Sequence, residues 1–534
     1  MTGADAPEGW DDAAVDVLME QIRSTVAQTE SPGLTKVAST AAASPQPDAG
    51  NPFDMASLAA ELSQSLGVQV DSPDLLPPRL STPETPPTAA PRRDVDGSLA
   101  YFLTSTPRSA PPLPQMAAPT APAPPVPSAS SPLEAIKLRA QFPALQQSVN
   151  GHPLVWLDNG ATTHKPQQVI DAVSGYYERD NSNVHRSAHT LAVRSTNAID
   201  RARHQVARFL GAQQADEVVF VRGTTEAINL VASSWGRVHL RPGDEVLVSW
   251  LEHHANIVPW QFACQMTGAI LRPIPVTDAG DIDLAAYHRM LGPRTKLVAL
   301  THVSNVVGTV LPIEEMANAA RLHGAKVLVD GAQSVAHMPV DVQALGADFF
   351  AFSGHKIFGP TGIGVLWARR EILEEMPPWQ GGGSMISDVT FERSTFNPPP
   401  AKFEAGTPHI AGIVGLGAAL EWLDALGRPF VAAAEHALVE YAEARLREVP
   451  HVRVLGRPTL RAGAVPFVVE GVESMEVARY LDQRGIALRA GHHCAQPTVR
   501  RLGHESVVRP SFALYNCPDD VDKLIDALRE LPRP

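Results

Sequence analysis

Lys326-Val327-Leu328-Val329-Asp330-Gly331-Ala332-Gln333 and Phe349-Phe350-Ala351-Phe352-Ser353-Gly354-His355-Lys356 are two short apolar runs, each followed by polar and charged residues. Runs of this length with no polar alternation suit strands buried on both faces. Val218-Val219-Phe220-Val221, Glu245-Val246-Leu247-Val248 and Lys296-Leu297-Val298-Ala299-Leu300 have the same texture, with room for a helix between successive runs. This predicts an α/β fold with a mostly parallel sheet covered on both faces. Polar chemistry then falls at the carboxyl ends of the strands, where such sheets bind ligands.

Asp330 and Lys356 stand at two of those ends. An amine that can hold an aldehyde, and a carboxylate that can keep a pyridine nitrogen protonated, are what a pyridoxal-phosphate enzyme needs. A lysine after a strand is by itself more often structural, so the neighbouring motifs matter. Gly223-Thr224-Thr225-Glu226-Ala227 follows a strand and opens a helix, which suits a phosphate; Ser353 and His355 can donate to the same group. His253, in Glu252-His253-His254-Ala255-Asn256, is a candidate to stack on the pyridine ring. The paired histidines have no second cluster at ligand spacing, so no metal is expected.

Arg489-Ala490-Gly491-His492-His493-Cys494-Ala495 places a thiol in a polar loop after two histidines, where arginine and imidazole favour thiolate. Cys494 is therefore read as a nucleophile. Cys264, on an expected helix, and Cys517 keep a structural reading. Arg509, in Val508-Arg509-Pro510-Ser511-Phe512, can clamp a carboxylate through two parallel hydrogen bonds, and Asn305 can share that duty.

At 534 residues the chain predicts two folded units plus a further segment. Residues 1–132 hold 22 of the 48 prolines, no histidine, and only Trp10, Phe53, Tyr101 and Phe102 as aromatics. With 6 Lys+Arg against 15 Asp+Glu, they carry −9 of the chain's −13. Such a stretch buries too little apolar surface to offset its ordering entropy, so a disordered Pro/Ala-rich acidic extension is expected. Three apolar islands within it, Trp10 to Gln28, Met55 to Leu66 and Gly97 to Leu103, read as docking peptides. The three cysteines form no CxxC pair, no apolar run reaches membrane-spanning length, and six acids precede Arg23. These features predict a reducing, cytoplasmic setting without membrane or nucleic-acid partners.

From about Leu133 onward the sequence resembles the group II, SUF-type cysteine desulfurases, also called selenocysteine lyases, of the class V aminotransferase-like family. The resemblance rests on Leu157-Asp158-Asn159 to Lys165-Pro166, Asn183 to Arg186, Arg222 to Asn229, Glu252 to Gln261, Asp330 to Gln333, Ser353 to Gly364, Phe403 to Pro408 and Arg489 to Ala495. It implies a PLP fold type I homodimer, with a PLP-binding large domain over 133–395 whose N-terminal helix packs on a smaller α+β domain over 396–534. Lys356 would bind the cofactor aldehyde, Asp330 the pyridine nitrogen, Gln333 the ring hydroxyl and His253 the ring face. Thr225, Ser353, His355 and the other subunit's copy of Thr407 would hold the phosphate. Arg509 and Asn305 would take the substrate carboxylate, with His185 and Arg489 lining the substrate side. L-cysteine would become L-alanine, leaving a persulfide on Cys494 for a SufE- or SufU-like acceptor. Gln380 stands where a glutamate is expected, and Gly160 where alanine is usual. The extension resembles those of desulfurases carried as cargo in family 2 encapsulin shells, which implies a shell partner for residues 1–132. A selenocysteine lyase, or a shell-organising scaffold with little activity, is the alternative reading.

Overall fold

The computed structural model describes residues 137–184 and 189–533. The expected extension with its docking islands, and His185, lie outside the described residues. The central sheet has seven strands: β1 (Val218–Val221), β2 (Glu245–Ser249), β3 (Ile270–Ile274), β4 (Thr295–Thr301), β5 (Lys326–Asp330), β6 (Phe349–Ser353) and β7 (Gly364–Ala368). Their order is β1-β7-β6-β5-β4-β2-β3. All neighbours run parallel except β7, which is antiparallel to both β1 and β6.

Every residue of β1, β2, β6 and β7 is buried, which is why β1 and the interiors of β2 and β6 read as apolar runs. Successive side chains still alternate between the two faces. Val218, Phe220, Val327, Val329, Phe350 and Phe352 enter one core, whereas Val219, Val221, Leu328, Phe349 and Ala351 enter another. Helices α1 (Gln167–Arg179), α2 (Thr190–Leu210), α3 (Thr224–Val231), α4 (Val258–Thr267) and α5 (Ile313–Leu322) connect or cover these strands. The edge strand β3, Ile-Leu-Arg-Pro-Ile, has a single buried residue, Ile274. A proline is tolerated there because an edge strand leaves one row of N–H groups unpaired.

Helix α6 (Ile410–Leu426) packs on α1 and α2, and most of its residues are buried. An 80° bend then leads into α7 (Arg428–Arg447). Beyond it, β8 (Val452–Val454), β9 (Phe467–Val469), β10 (Arg489–Gly491) and β11 (Val507–Arg509) form an antiparallel sheet in the order β8-β9-β11-β10. Together with α7, α8 (Ser474–Asp482) and α9 (Pro518–Arg529) it encloses a third core. The start of the described chain is tied to this sheet region. Val155–Trp156 pairs in parallel with Ile486–Ala487, and Arg139 meets Asp520 at 3.2 Å. No single helix among the described residues is long and apolar enough to cross a membrane.

Candidate active site

Asp330 ends β5, and Lys356 lies in the turn Gly354–Lys356 directly after the adjacent strand β6. A cavity of about 190 Å³ opens at this edge, lined by Thr225, His253, Asn305, Asp330, Gln333, Ser353, His355, Lys356, Arg489 and Arg509, among others. Residues spread over nearly 300 positions thus meet in one place because the strand ends and the second sheet converge there.

Asp330 is 4% exposed, and its Oδ1 accepts the Ala332 N–H at 2.9 Å. Burial raises its pKa, opposed by that N–H and by Lys356. The next residue must be small: a Cβ on Gly331 would lie 2.0 Å from Cζ of Phe350. Burial pushes the Lys356 amine down, with Arg509 and Arg489 acting in the same direction and Asp330 against it. A lysine so placed has more of the neutral amine needed to attack a carbonyl carbon. His253 Nδ1 accepts the Ala255 N–H at 3.0 Å, so Nε2 carries the ring proton; burial holds its pKa at about 3. It offers an uncharged flat face near neutral pH.

At the start of α3, the Thr224 N–H donates to Ser353 Oγ at 2.9 Å, and the two hydroxyl oxygens lie 2.8 Å apart. Thr225 is the exposed residue of this turn, and His355, half-buried, has its pKa lowered to about 4 by burial. Hydroxyls and free N–H groups at a helix start make a place for a dianionic phosphate. Gln333 donates to Gly160 O at 2.7 Å, which fixes its amide in the cavity wall. Amine, buried carboxylate, neutral ring face and phosphate cradle are the donor set that pyridoxal phosphate requires.

Arg509 is 1% exposed; its Nη2 donates to Asp158 Oδ1 at 2.9 Å and its Nη1 to Asn305 O at 2.7 Å, while Nε has no partner. Asn305 Nδ2 donates to His493 O at 2.7 Å, and its Oδ1 is unpartnered. The Asn305 side chain therefore holds the cysteine loop, and its backbone holds the arginine. Arg489, exposed, pairs with Arg509 across β10 and β11.

Cys494 is half-exposed, just after β10, and is not among the residues that line the cavity. It and His493 adopt left-handed backbone, with φ 54 and φ 52. Cys494 O accepts the His254 N–H at 2.7 Å, its own N–H donates to His492 Nδ1 at 3.1 Å, and His254 Nε2 accepts the Gln496 N–H at 3.1 Å. His493 Nε2 reaches Val507 O at 3.1 Å. The thiol sits on a short, clasped loop, within electrostatic reach of Lys356 and Arg509.

Thr407 is not in this cavity. It lines a second one, of about 430 Å³, with Arg222 and Gln380. Cys264 is buried on α4 and Cys517 caps α9. Among the described residues no cluster of His, Cys, Asp or Glu is arranged to hold a metal ion. Three residues near the site have no role that the sequence alone assigns. Thr224 carries the contact to Ser353, adjacent to the threonine that was named. Asp158 meets Arg509 across 351 positions, which no local pattern reveals. Glu252 is fully buried, receives Ser249 Oγ, Thr301 N and Asn256 Nδ2 at 2.5, 2.9 and 2.7 Å, and is raised to about 8 by burial. It ties the end of β4 to the turn that carries His253.

Comparison with known proteins agrees with this geometry. The family profile Aminotransferase class-V matches residues 155–524. A cysteine desulfurase of Synechococcus elongatus is 54% identical over 395 residues, covering 74% of this chain and 63% of the relative. The chain spans 58–64% of the length of three relatives at 54–56% identity. The crystal structure of the cysteine desulfurase CsdA from Escherichia coli superposes with a TM-score of 0.69 at 42% identity, over 74% of this chain and 98% of that one. A C-DES variant with glycine covalently linked to its PLP cofactor has a TM-score of 0.65 at 26% identity, over 74% of this chain and 99% of that one. The sheet order, the site and these likenesses agree on a PLP fold type I protein, and the chain belongs to the class V aminotransferase family, among its cysteine desulfurase homologues.

Proposed function

We propose that the protein converts L-cysteine to L-alanine and retains the sulfur as a persulfide on Cys494. The observation that carries this reading is the placement of Lys356, Asp330 and Arg509 around one cavity while Asn305 and His254 clasp the Cys494 loop beside it. Pyridoxal phosphate, when bound, supplies an electron sink that makes bonds at an amino acid's Cα breakable. Lys356 would hold its aldehyde, Asp330 its ring nitrogen, Gln333 its ring hydroxyl, His253 its ring face, and Thr224, Thr225, Ser353 and His355 its phosphate.

Arg509 grips the α-carboxylate and so presents the substrate's Cα to Lys356. Lys356 Nζ takes the Cα proton, and the burial that lowers its pKa favours the uncharged amine that a base must present. Cys494 Sγ attacks the substrate sulfur: the substrate's Cβ–S bond breaks as the new S–S bond forms. Carbon keeps the bonding pair and gains a proton, so cysteine and thiol become alanine and persulfide without an external oxidant. A second thiol, on a SufE- or SufU-like acceptor, then takes the outer sulfur.

The same reading makes the active form a homodimer in which Thr407 of one subunit completes the phosphate site of the other. Thr407's place in a separate cavity supports this. Residues 1–132 would dock the enzyme to an encapsulin-type shell, supported by their acidic, proline-rich composition and apolar islands. Alanine release from cysteine and from selenocysteine tests the chemistry. Native protein is expected to release it from cysteine, and Cys494→Ser to lose that activity; a Cys494→Ser enzyme that still desulfurates cysteine well sinks the reading. Deleting residues 1–132 should abolish co-purification with a shell protein and spare alanine release, and retained encapsulation sinks the docking role.

A further inference from the structure

Lys356 ends a three-residue turn, Gly354–Lys356, and a turn that short fixes little by itself. Its own bonds both go to Gly354 O, from the Ile357 N–H at 3.1 Å and the Gly359 N–H at 2.9 Å. The His355 carbonyl, just before the lysine, and the Phe358 N–H, just after it, are bonded to Thr163, 192 and 195 positions away. A threonine hydroxyl has one proton and two lone pairs. Thr163 Oγ1 donates to His355 O at 3.2 Å and accepts the Phe358 N–H at 2.8 Å, so one buried oxygen brackets the lysine on both sides. The Thr163 N–H and Thr162 Oγ1 also reach His355 O, each at 3.0 Å. The carbonyl end is thus held several times over, whereas the Phe358 end depends on the hydroxyl.

Phe358 is the strained point of this segment. Its φ of 63 is left-handed, which a bulky residue rarely adopts and which persists only where the surroundings impose it. Its fully buried ring packs against Trp422, Tyr515 and Phe142, with centroids 5.2, 6.1 and 6.1 Å away. The segment carrying Thr163 is tied to the same cluster, because the His164 N–H donates to Tyr515 Oη at 3.2 Å. The rings hold the side chain of Phe358 and Thr163 holds its backbone. Together they set the path of the chain on leaving Lys356, and so the direction in which the lysine enters the cavity.

We propose that Thr163 is a positioning residue for Lys356: its hydroxyl grips the chain before and after the lysine and so aims Nζ at the substrate's Cα. The proposal rests on the reading of Lys356 as the base for the Cα proton.

Holoenzyme incubated with L-alanine in deuterated water isolates this step, since alanine has no thiol for Cys494 to attack. The Cα proton passes to Lys356 Nζ and exchanges with solvent, and a deuteron returns to Cα; proton NMR of the alanine Cα–H counts the transfers. Thr163→Val keeps the shape and removes the hydroxyl, so exchange per bound cofactor should slow about tenfold. Half-saturation by alanine should stay within about twofold of native, because Arg509 is untouched. Thr163→Ser, which keeps the hydroxyl, should exchange within about threefold of native. Thr163→Val exchanging at the native rate, even with a lowered Tm, overturns the proposal, since the hydroxyl would then only stabilise the fold. So does a Thr163→Ser enzyme as slow as Thr163→Val. A measurement on the native protein stands whether or not the variants fold: amide hydrogen exchange at Phe358 should be as slow as in β6, and exchange as fast as in exposed turns overturns the proposal. Native protein that exchanges alanine yet releases none from cysteine defeats the desulfurase reading and leaves the role of Thr163 standing; native protein that exchanges no alanine defeats Lys356 as the base, and this proposal with it.

Discussion

The Cys494 loop holds two consecutive non-glycine residues in left-handed backbone, His493 at φ 52 and Cys494 at φ 54. Each costs about 1–2 kcal/mol relative to ordinary backbone. Against this stand Asn305 Nδ2 to His493 O at 2.7 Å, His254 N to Cys494 O at 2.7 Å, His493 Nε2 to Val507 O at 3.1 Å and Cys494 N to His492 Nδ1 at 3.1 Å. At about 0.5–1.5 kcal/mol net for each, the four bonds only modestly exceed the strain. Asn305→Ala removes one bond and leaves His493 O buried without a partner, a loss of about 2–3 kcal/mol. That lowers the clasped population by roughly 30- to 150-fold relative to open forms. The variant keeps the Asn305 carbonyl, so Arg509 keeps its acceptor. Hydrogen exchange at residues 493–496 should therefore accelerate by that factor, and single-turnover persulfide formation on Cys494 should slow by at least about tenfold. Native-like exchange together with a native-like persulfide rate would refute the argument that these clasps hold the thiol in place.

Acid stability should be limited by buried histidines. His164, His302 and His355 are held at about 4, His253 at about 3 and His493 at about 2, all chiefly by burial. Unfolded histidines titrate near 6.5, so stability is complete above that value and is lost as pH falls toward each folded pKa, by up to about 1.4 kcal/mol per pH unit per histidine. Calorimetry between about pH 7 and 5 should show Tm falling with proton uptake on unfolding, and a flat Tm contradicts this. Gly331→Ala forces a methyl against Phe350, at an overpacking cost of about 1–3 kcal/mol, and displaces Asp330. The variant should lose bound cofactor on dialysis, and full retention argues against it. Asp330→Asn should keep the cofactor on Lys356 and lower alanine release by about 10²-fold or more; a loss under tenfold would remove Asp330 from its assigned role.

β1, β2 and β6 were legible because a strand covered on both faces is apolar along most of its length, with polar residues only at its ends, such as Glu245 and Ser249 in β2 and Ser353 in β6. Strand direction has no such signature. β7 is as buried as its neighbours, and only the turns around it make it antiparallel. Neither β3 nor β7 is among the expected strands: an edge strand needs few apolar residues, and Arg272 and Pro273 mask β3, while β7 follows closely on the glycine-rich turn after Lys356. At the site, Lys356, Asp330, His253 and the Thr225 turn follow from their positions at strand ends. Asp158 owes its place to Arg509, more than 300 residues away, and Glu252 to the backbone of Thr301. Such roles belong to the folded geometry and leave no local pattern.

The central claim is that bond breaking at Lys356 and sulfur capture at Cys494 are two halves of one reaction. The most direct test is a single turnover of holoenzyme with limiting cysteine and no acceptor, quantifying alanine and the mass of the peptide containing Cys494. The account predicts one alanine released for each Cys494 that gains the mass of one sulfur atom, with Cys264 and Cys517 unmodified. Alanine released with no sulfur added to Cys494, or sulfur found on either of the other two cysteines, would contradict it.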